Sequence, residues 1–350
     1  MRLESTSIRT MLAGTALGAV ILAAPAQAQE LKPLNIMLNN NNTTNLYPVI
    51  VARYLGWFEK EGLAVTYLDA DTTVPYVAFL ANGQADAVML DAPQTFQGVA
   101  NNLPLKVVYE AQQFASEGLF VPESGGITTL EGLKGKIVGL ASDRDRVTTQ
   151  ITLEDAGMSI DDVQTVVVGN GGPVIVKALK DGTVQAFSAA SSDLAIAVAN
   201  GIILKDLTPR ELKINPANTF SVYEPRLEEL RPSLEKYFKV WAMATHAAKV
   251  APEIVSKMCA KQVPEEWEMP VAGQALMDAS IFQATPVGDK YGEVQPDVWK
   301  SIQPSYIKAG ELAAEIDPAI FLDGSMIAAA NEFDEAKIKA DLEAWNAANP

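Results

Sequence analysis

A single histidine, His246, and a single cysteine, Cys259, bound the chemistry open to this 350-residue chain. One imidazole cannot supply a multi-histidine metal site, and no carboxylate lies three residues ahead of it to complete a ligand pair. A thiol–imidazole nucleophile would require the two side chains to meet across neighbouring helices. Both sit in apolar helical stretches, where packing is the simpler expectation. The sequence holds no G-x-S-x-G elbow, no Walker phosphate loop and no dinucleotide fingerprint. No catalytic residue, no metal and no cofactor is therefore expected. Carboxylates alone can act as acid and base, so an enzyme stays among the alternatives.

The side chains left with recognition chemistry lie in short polar clusters. In Asn39–Asn45 (NNNNTTN), Asn41, Thr43, Thr44 and Asn45 can hydrogen-bond a ligand, or serve only loop and capping chemistry. Asp91 and Gln94, in Asp91-Ala92-Pro93-Gln94, can contact ligand, cap the next helix or pin a hinge. Within Ser142-Asp143-Arg144-Asp145-Arg146, Ser142 can donate. Arg144 or Arg146 can clamp a carboxylate or sulfonate bidentately, or both can pair with the intervening aspartates. Asn170, in a Gly-rich stretch before Pro173, marks either a close backbone approach or a plain turn. Ser191 and Asp193 pose the same choice between contact and capping. Phe114, Tyr47 and Phe220 are the aromatics nearest strand ends and crossings, where one could stack on a flat ligand; core packing is commoner.

These clusters matter only if the chain sets them at strand ends. Short β-rich runs alternate with helical stretches from Leu34 to about Leu207, which predicts an α/β fold of βαβ units on mostly parallel sheets. The predicted strands are Leu34–Asn39, Ala64–Asp69, Ala87–Leu90, Leu105–Glu110 and Gly118–Val121. A second set comprises Lys136–Leu140, Val163–Val168, Val184–Ala189 and Ile202–Leu204. Helices are predicted at Leu46–Glu61, Val74–Asn82, Pro93–Ala100, Val147–Ala156, Pro173–Lys180 and Asp193–Ala199. The polar clusters fall between strand and following helix, where parallel sheets open a crevice and helices present free N–H groups. The pattern restarts after Gly125-Gly126, Ile214–Tyr223 reads as a returning strand, and beyond Arg226 the chain is helical. Leu227, Leu230, Leu234, Tyr237, Phe238 and Trp241 recur at spacings of three and four, one amphipathic face. Phe333–Asn346 behaves alike. The expected division is a first lobe at 29–116, a second at 117–217, and a return to the first at 218–350. The crossings near Gln112–Ser116 and Asn218–Ser221 would form the hinge.

The N-terminus reads as an export signal. Arg2 and Arg9 precede an apolar run, Met11 to Ala24, too short to span a bilayer, and Ala26-Gln27-Ala28 suits signal peptidase. Cleavage is expected after Ala28, leaving roughly 320 residues, more than one core usually supports. With a net charge of −16, the chain should repel nucleic acid and anionic lipid. A lone cysteine allows no internal disulfide.

Three stretches together resemble one family. Leu46–Val65 (LYPVIVARYLGWFEKEGLAV) is similar to an opening helix with an A-x-x-x-G-[YWF]-F-x-x-x-G-L-x-V signature. Tyr76–Gln94 (YVAFLANGQADAVMLDAPQ) and Leu130–Ser142 (LEGLKGKIVGLAS) resemble its L-x-x-G-x-x-D strand with pocket loop and its second-lobe opening strand. The family is the NMT1-like group of periplasmic substrate-binding proteins of ABC importers, which handle nitrate, sulfonates, taurine and thiamine-pyrimidine precursors. The resemblance implies a periplasmic binding protein type 2 fold: two α/β lobes with a hinge, and a helical C-terminal region packed on lobe 1. It implies a monomer in the periplasm that closes on a small organic solute and delivers it to an ABC permease in the inner membrane, with no enzymatic activity. A sulfonate or carboxylate is the favoured solute; a pyrimidine-like heterocycle, a sensor or an enzyme on the same fold are the alternatives. Eukaryotic relatives that synthesise pyrimidines use a cysteine-rich motif and histidines, which this chain lacks. Asp91 matches an acidic position of the family, and Ala190–Asp193 resembles its last pocket loop. Gly56, Trp57, Phe58 and Gly62 read as structural.

Overall fold

The computed structural model describes residues 30–38, 40–69, 76–308 and 312–350. The export-signal expectation, Asn39 and the start of the helix expected at Val74 lie outside them. Strand β1 (Lys32–Leu38) leads through a one-turn 3-10 segment at Thr44–Leu46 into α1 (Tyr47–Leu55) and α2 (Trp57–Lys60). β2 (Leu63–Asp69), α3 (Tyr76–Ala81), β3 (Ala87–Leu90), α4 (Ala92–Ala100) and β4 (Leu105–Phe114) follow. The chain then crosses into β5 (Glu117–Pro122), β6 (Ile137–Leu140), α5 (Asp145–Asp155), β7 (Gln164–Val167), α6 (Gly172–Lys180), β8 (Ala186–Ala190), α7 (Ala195–Ala199) and β9 (Leu204–Asp206). It returns as β10 (Ile214–Tyr223).

Two five-stranded sheets result, ordered β2-β1-β3-β10-β4 and β7-β6-β8-β5-β9. In each, three parallel strands (β1, β2, β3 and β6, β7, β8) carry βαβ crossovers, and the strand returning from the other half, β10 or β5, pairs antiparallel. The two strand orders are therefore equivalent, and the tips of β1 and β3 correspond to those of β6 and β8. The C-terminal region supplies α8 (Leu227–Val250), α9 (Pro252–Gln262), α10 (Pro270–Ala284), α11 (Pro296–Lys308), α12 (Ile327–Ala330) and α13 (Glu335–Ala348).

The six apolar positions spaced by threes and fours on α8 are all buried, and they join β1, α1 and β10 in the largest core. Phe220 packs edge-on against Trp241 at 4.8 Å, and Tyr109 stacks on Phe238 at 4.9 Å. Such contacts add about 1 kcal/mol each beyond area burial. The C-terminal helices thus cover the first sheet. A second core on its other face collects α3, α4 and Trp299, while two smaller ones flank the second sheet.

Three departures of the elements from expectation stand out. The helix expected over Leu46–Glu61 is broken at Gly56, whose φ of +60° ends α1 and starts α2; only a glycine adopts that conformation freely. Strand β9 begins at Leu204 rather than Ile202. Strand β4 runs on to Phe114 because β10, with local register shifts, pairs it that far. The extension buries Gln112 and Gln113, and the strand before it buries Glu110. Each is satisfied from outside the sheet: Glu110 by the Gln295 amide and Trp299 indole, Gln112 by Asn45, Gln113 by the Val287 amide and Glu293 carbonyl. Gly292 closes this strap against β4; its φ is +78°, and a Cβ there would lie 2.1 Å from the Tyr109 ring.

Candidate functional site

The polar clusters sit at the carboxyl tips of both sheets. On the first, Thr43 caps the 3-10 turn, its Oγ1 accepting from the Asn45 amide at 3.3 Å. Asn41 accepts from Arg53 at 2.6 Å through Oδ1. Asp91 and Gln94 form a reciprocal capping box at the start of α4: Asp91 Oδ1 accepts from the Gln94 amide at 2.8 Å, and Gln94 Oε1 from the Asp91 amide at 3.1 Å. One acceptor of each is thereby committed to helix α4.

On the second sheet, Ser142 donates both its amide and its hydroxyl to Asp145 Oδ2, at 2.7 and 2.8 Å. Arg146 is drawn back to Asp143 and Thr165, whereas Arg144 is exposed. Asn170 is exposed at the tip before α6, and the Ser191 amide donates to the carbonyl of Ser116 in the crossing between β4 and β5. Asp193 is half-buried beside Asp145; desolvation first, then the Asp145 charge, hold its carboxyl above the usual range. The second rim therefore presents accepting oxygen more strongly than it presents cationic charge.

Between the rims run the two crossings, tied by the Ala115 amide on the Lys213 carbonyl at 2.7 Å. Phe114 is fully buried here, with Arg210 over its ring at 4.4 Å and Phe282 tilted against it at 4.9 Å. Lys213, also buried, bonds Asp206 at 2.6 Å and lies over the Phe120 and Phe282 rings. Phe114 thus braces the crossing and presents no open face. Tyr47 and Phe220 are core residues, Tyr47 donating to the Thr245 carbonyl at 3.2 Å.

Several side chains that join this region were missed by reading the chain alone. A run of carboxamides links β10, β4, the first loop and α10: Asn218 donates to Gln112, Gln112 to Asn45 at 3.2 Å, and Asn45 to Gln283 at 3.1 Å. Glu266 accepts from the Thr43 hydroxyl and the Thr44 amide, both at 2.8 Å, and Trp267 donates to Thr44 Oγ1 at 3.0 Å. Gln112 and Asn218 carried a signal, since both lie in the crossings. Glu266, Trp267 and Gln283 carried none, being more than two hundred residues away in sequence.

The residues with catalytic potential are engaged elsewhere. His246 contacts the Tyr291 hydroxyl at 3.1 Å and Glu335 Oε2 at 2.8 Å. Cys259 is fully buried, and desolvation, assisted by the Glu266 charge, pushes its thiol up to about 12. At neutral pH it is a thiol, not a nucleophile. Among the described residues, no group of three histidine, cysteine or acidic side chains could hold a metal ion.

Comparison with known proteins places this geometry. A family model described as NMT1/THI5 like matches residues 43–254. The 4-amino-5-hydroxymethyl-2-methylpyrimidine phosphate synthase of Uromyces fabae is 27% identical over 154 residues, 44% of each chain. A protein of Bacillus subtilis (strain 168), named for binding aliphatic sulfonates, is 27% identical over 123 residues, 34% of this chain and 36% of its own. The chain thus aligns with less than half the length of either relative. The periplasmic aliphatic sulphonate binding protein SsuA from Escherichia coli superposes with a TM-score of 0.60 at 16% identity, over 82% of this chain and 96% of that one. At that identity the likeness carries the fold.

Proposed function

The chain belongs to the NMT1/THI5-like family, and from that premise we propose that it is the periplasmic solute-binding receptor of an ABC importer. It binds a small organic solute between its two sheets, closes about the crossings and delivers the solute to a membrane permease. It works as a monomer, without cofactor and without chemical turnover. The observation that carries this reading is the pairing of polar loops at equivalent strand tips, Thr43–Asn45 on one sheet and Ser142 with Ser191–Asp193 on the other, flanking two tied crossings. Such tips are where open α/β sheets take ligands. Export is supported by the Ala26-Gln27-Ala28 site and by the periplasmic location named for the structural relative.

The favoured solute is a sulfonate or carboxylate that also carries a hydrogen-bond donor. The acid end suits the hydroxyl and amide donors of the first loop and the exposed Arg144; the donor end suits Asp193. The sulfonate names among the relatives support this choice. The second reading, a pyrimidine-like heterocycle, draws on the synthase relative and on the accepting second rim.

A thermal-shift screen across sulfonates, carboxylates and pyrimidines tests the proposal, because a solute bound only by the folded state raises the melting temperature. An acid should give the largest rise and be recovered chemically unchanged after incubation. A flat response across all three classes, or a converted solute, would overturn the receptor reading.

A further inference from the structure

Consecutive residues of the first-sheet loop are each held by one C-terminal segment. Gln262 donates to Asn42 at 2.7 Å, Glu266 accepts from Thr43 and Thr44 at 2.8 Å, Trp267 donates to Thr44 at 3.0 Å, and Gln283 accepts from Asn45 at 3.1 Å. The same segment touches the other half of the molecule. Helix α10 packs against the 3-10 turn at Thr44–Leu46, against β4 and against α7, the helix that follows the second-sheet rim. Phe282 meets both Phe114 and Lys213 at the crossings. Residues 264–284 therefore lie where the two loop-bearing rims and the crossings converge.

The chemistry of the main contact is specific. Glu266 places a carboxylate on one hydroxyl and one backbone amide, the donors an acidic solute would use. We infer that Glu266 is a tethered pseudo-ligand, which holds the first-loop donors and must be displaced by an incoming acid group. Residues 264–284 then form an internal plug, and Glu266 sets the affinity threshold for anionic solutes. The inference rests on the reading that Thr43–Asn45 line the solute site. Its energetic logic is competitive: a protein that spends most of its time in the self-bound state binds solute more weakly by the fraction of time the donors are free. Gly273 passes so close to Trp267 that a Cβ there would lie 2.4 Å from the indole. The indole is thus seated on α10, and segment and helix would move together.

Ethanesulfonate is a suitable probe, with affinity measured by calorimetry on the full mature chain. Glu266→Gln keeps an acceptor for Thr43 and Thr44 but removes the competing charge, and should bind about tenfold more tightly than wild type. If wild type binds and the glutamine variant merely equals it, the pseudo-ligand is wrong and the receptor reading stands. If neither binds, both the pseudo-ligand and the acid-binding reading fall. Hydrogen exchange on the wild-type protein gives an answer that does not depend on the variant folding. Saturating ethanesulfonate should speed exchange across 264–284 as the plug leaves the rim. Unchanged or slower exchange in that segment would overturn the inference.

Discussion

Glu110 is a carboxylate held where water cannot reach it. It sits on β4, the last strand of the first sheet, with 2% of its surface exposed. Desolvation pushes its carboxyl from 4.5 up to about 7, against hydrogen bonds from the Gln295 amide and Trp299 indole. The folded state thus holds this proton more tightly than the unfolded chain does. Its contribution to stability is complete below the unfolded value and is lost as pH rises through about 7. The loss is at most about 3 kcal/mol. Glu110→Gln retains an acceptor for both donors, so its melting temperature should change less than wild type between about pH 4.5 and 7. An identical pH profile in the variant would assign the slope to other groups. No sequence pattern announced this residue. Glu110 closes a run that reads as an ordinary strand, and its burial depends on the strap at Gly292–Trp299 folding back over it. Arg144 and Arg146 show the same limit from the other side. Their sequence context offered both a clamp and local pairing, and the fold takes Arg146 to Asp143 and Thr165.

Single elements were far more legible, because their signals are local. The limits of β3 and β10 coincide with expectation, and most helices begin within two residues of where the strand–helix alternation puts them. Asp91 and Gln94 add a local signal at α4: a carboxylate three residues ahead of a carboxamide satisfies two orphan donors at once. Asp91→Ala should lower stability by about 1 kcal/mol, and Asp91→Asn by much less, since the amide oxygen still accepts. Equal losses in the two variants, measured by urea denaturation, would show that charge rather than capping is at work. What escaped at this scale was a break and an overrun. Gly56 reads as a close-packing residue inside a helix, and its left-handed conformation breaks that helix instead. The length of β4 is decided by its partner β10, which lies about a hundred residues downstream and carries register shifts.

At the scale of the whole molecule, the restart of the strand–helix pattern announced two sheets, and a buried face at spacings of three and four announced helices covering the first. The position of α10 was illegible, because its apolar residues surround the helix instead of striping one side. A helix without an apolar stripe does not announce which face it buries or against what. Here the partners are the first loop, a crossing strand and α7. The central claim, that solute is held jointly by the rims of both sheets, is tested most directly by calorimetry on one substitution from each side. With the best solute of the screen, Asn45→Ala and Asp193→Ala should each weaken binding about tenfold, as loss of one hydrogen bond to solute implies. Full affinity retained in either variant, with the fold intact, would contradict a site shared between the two sheets.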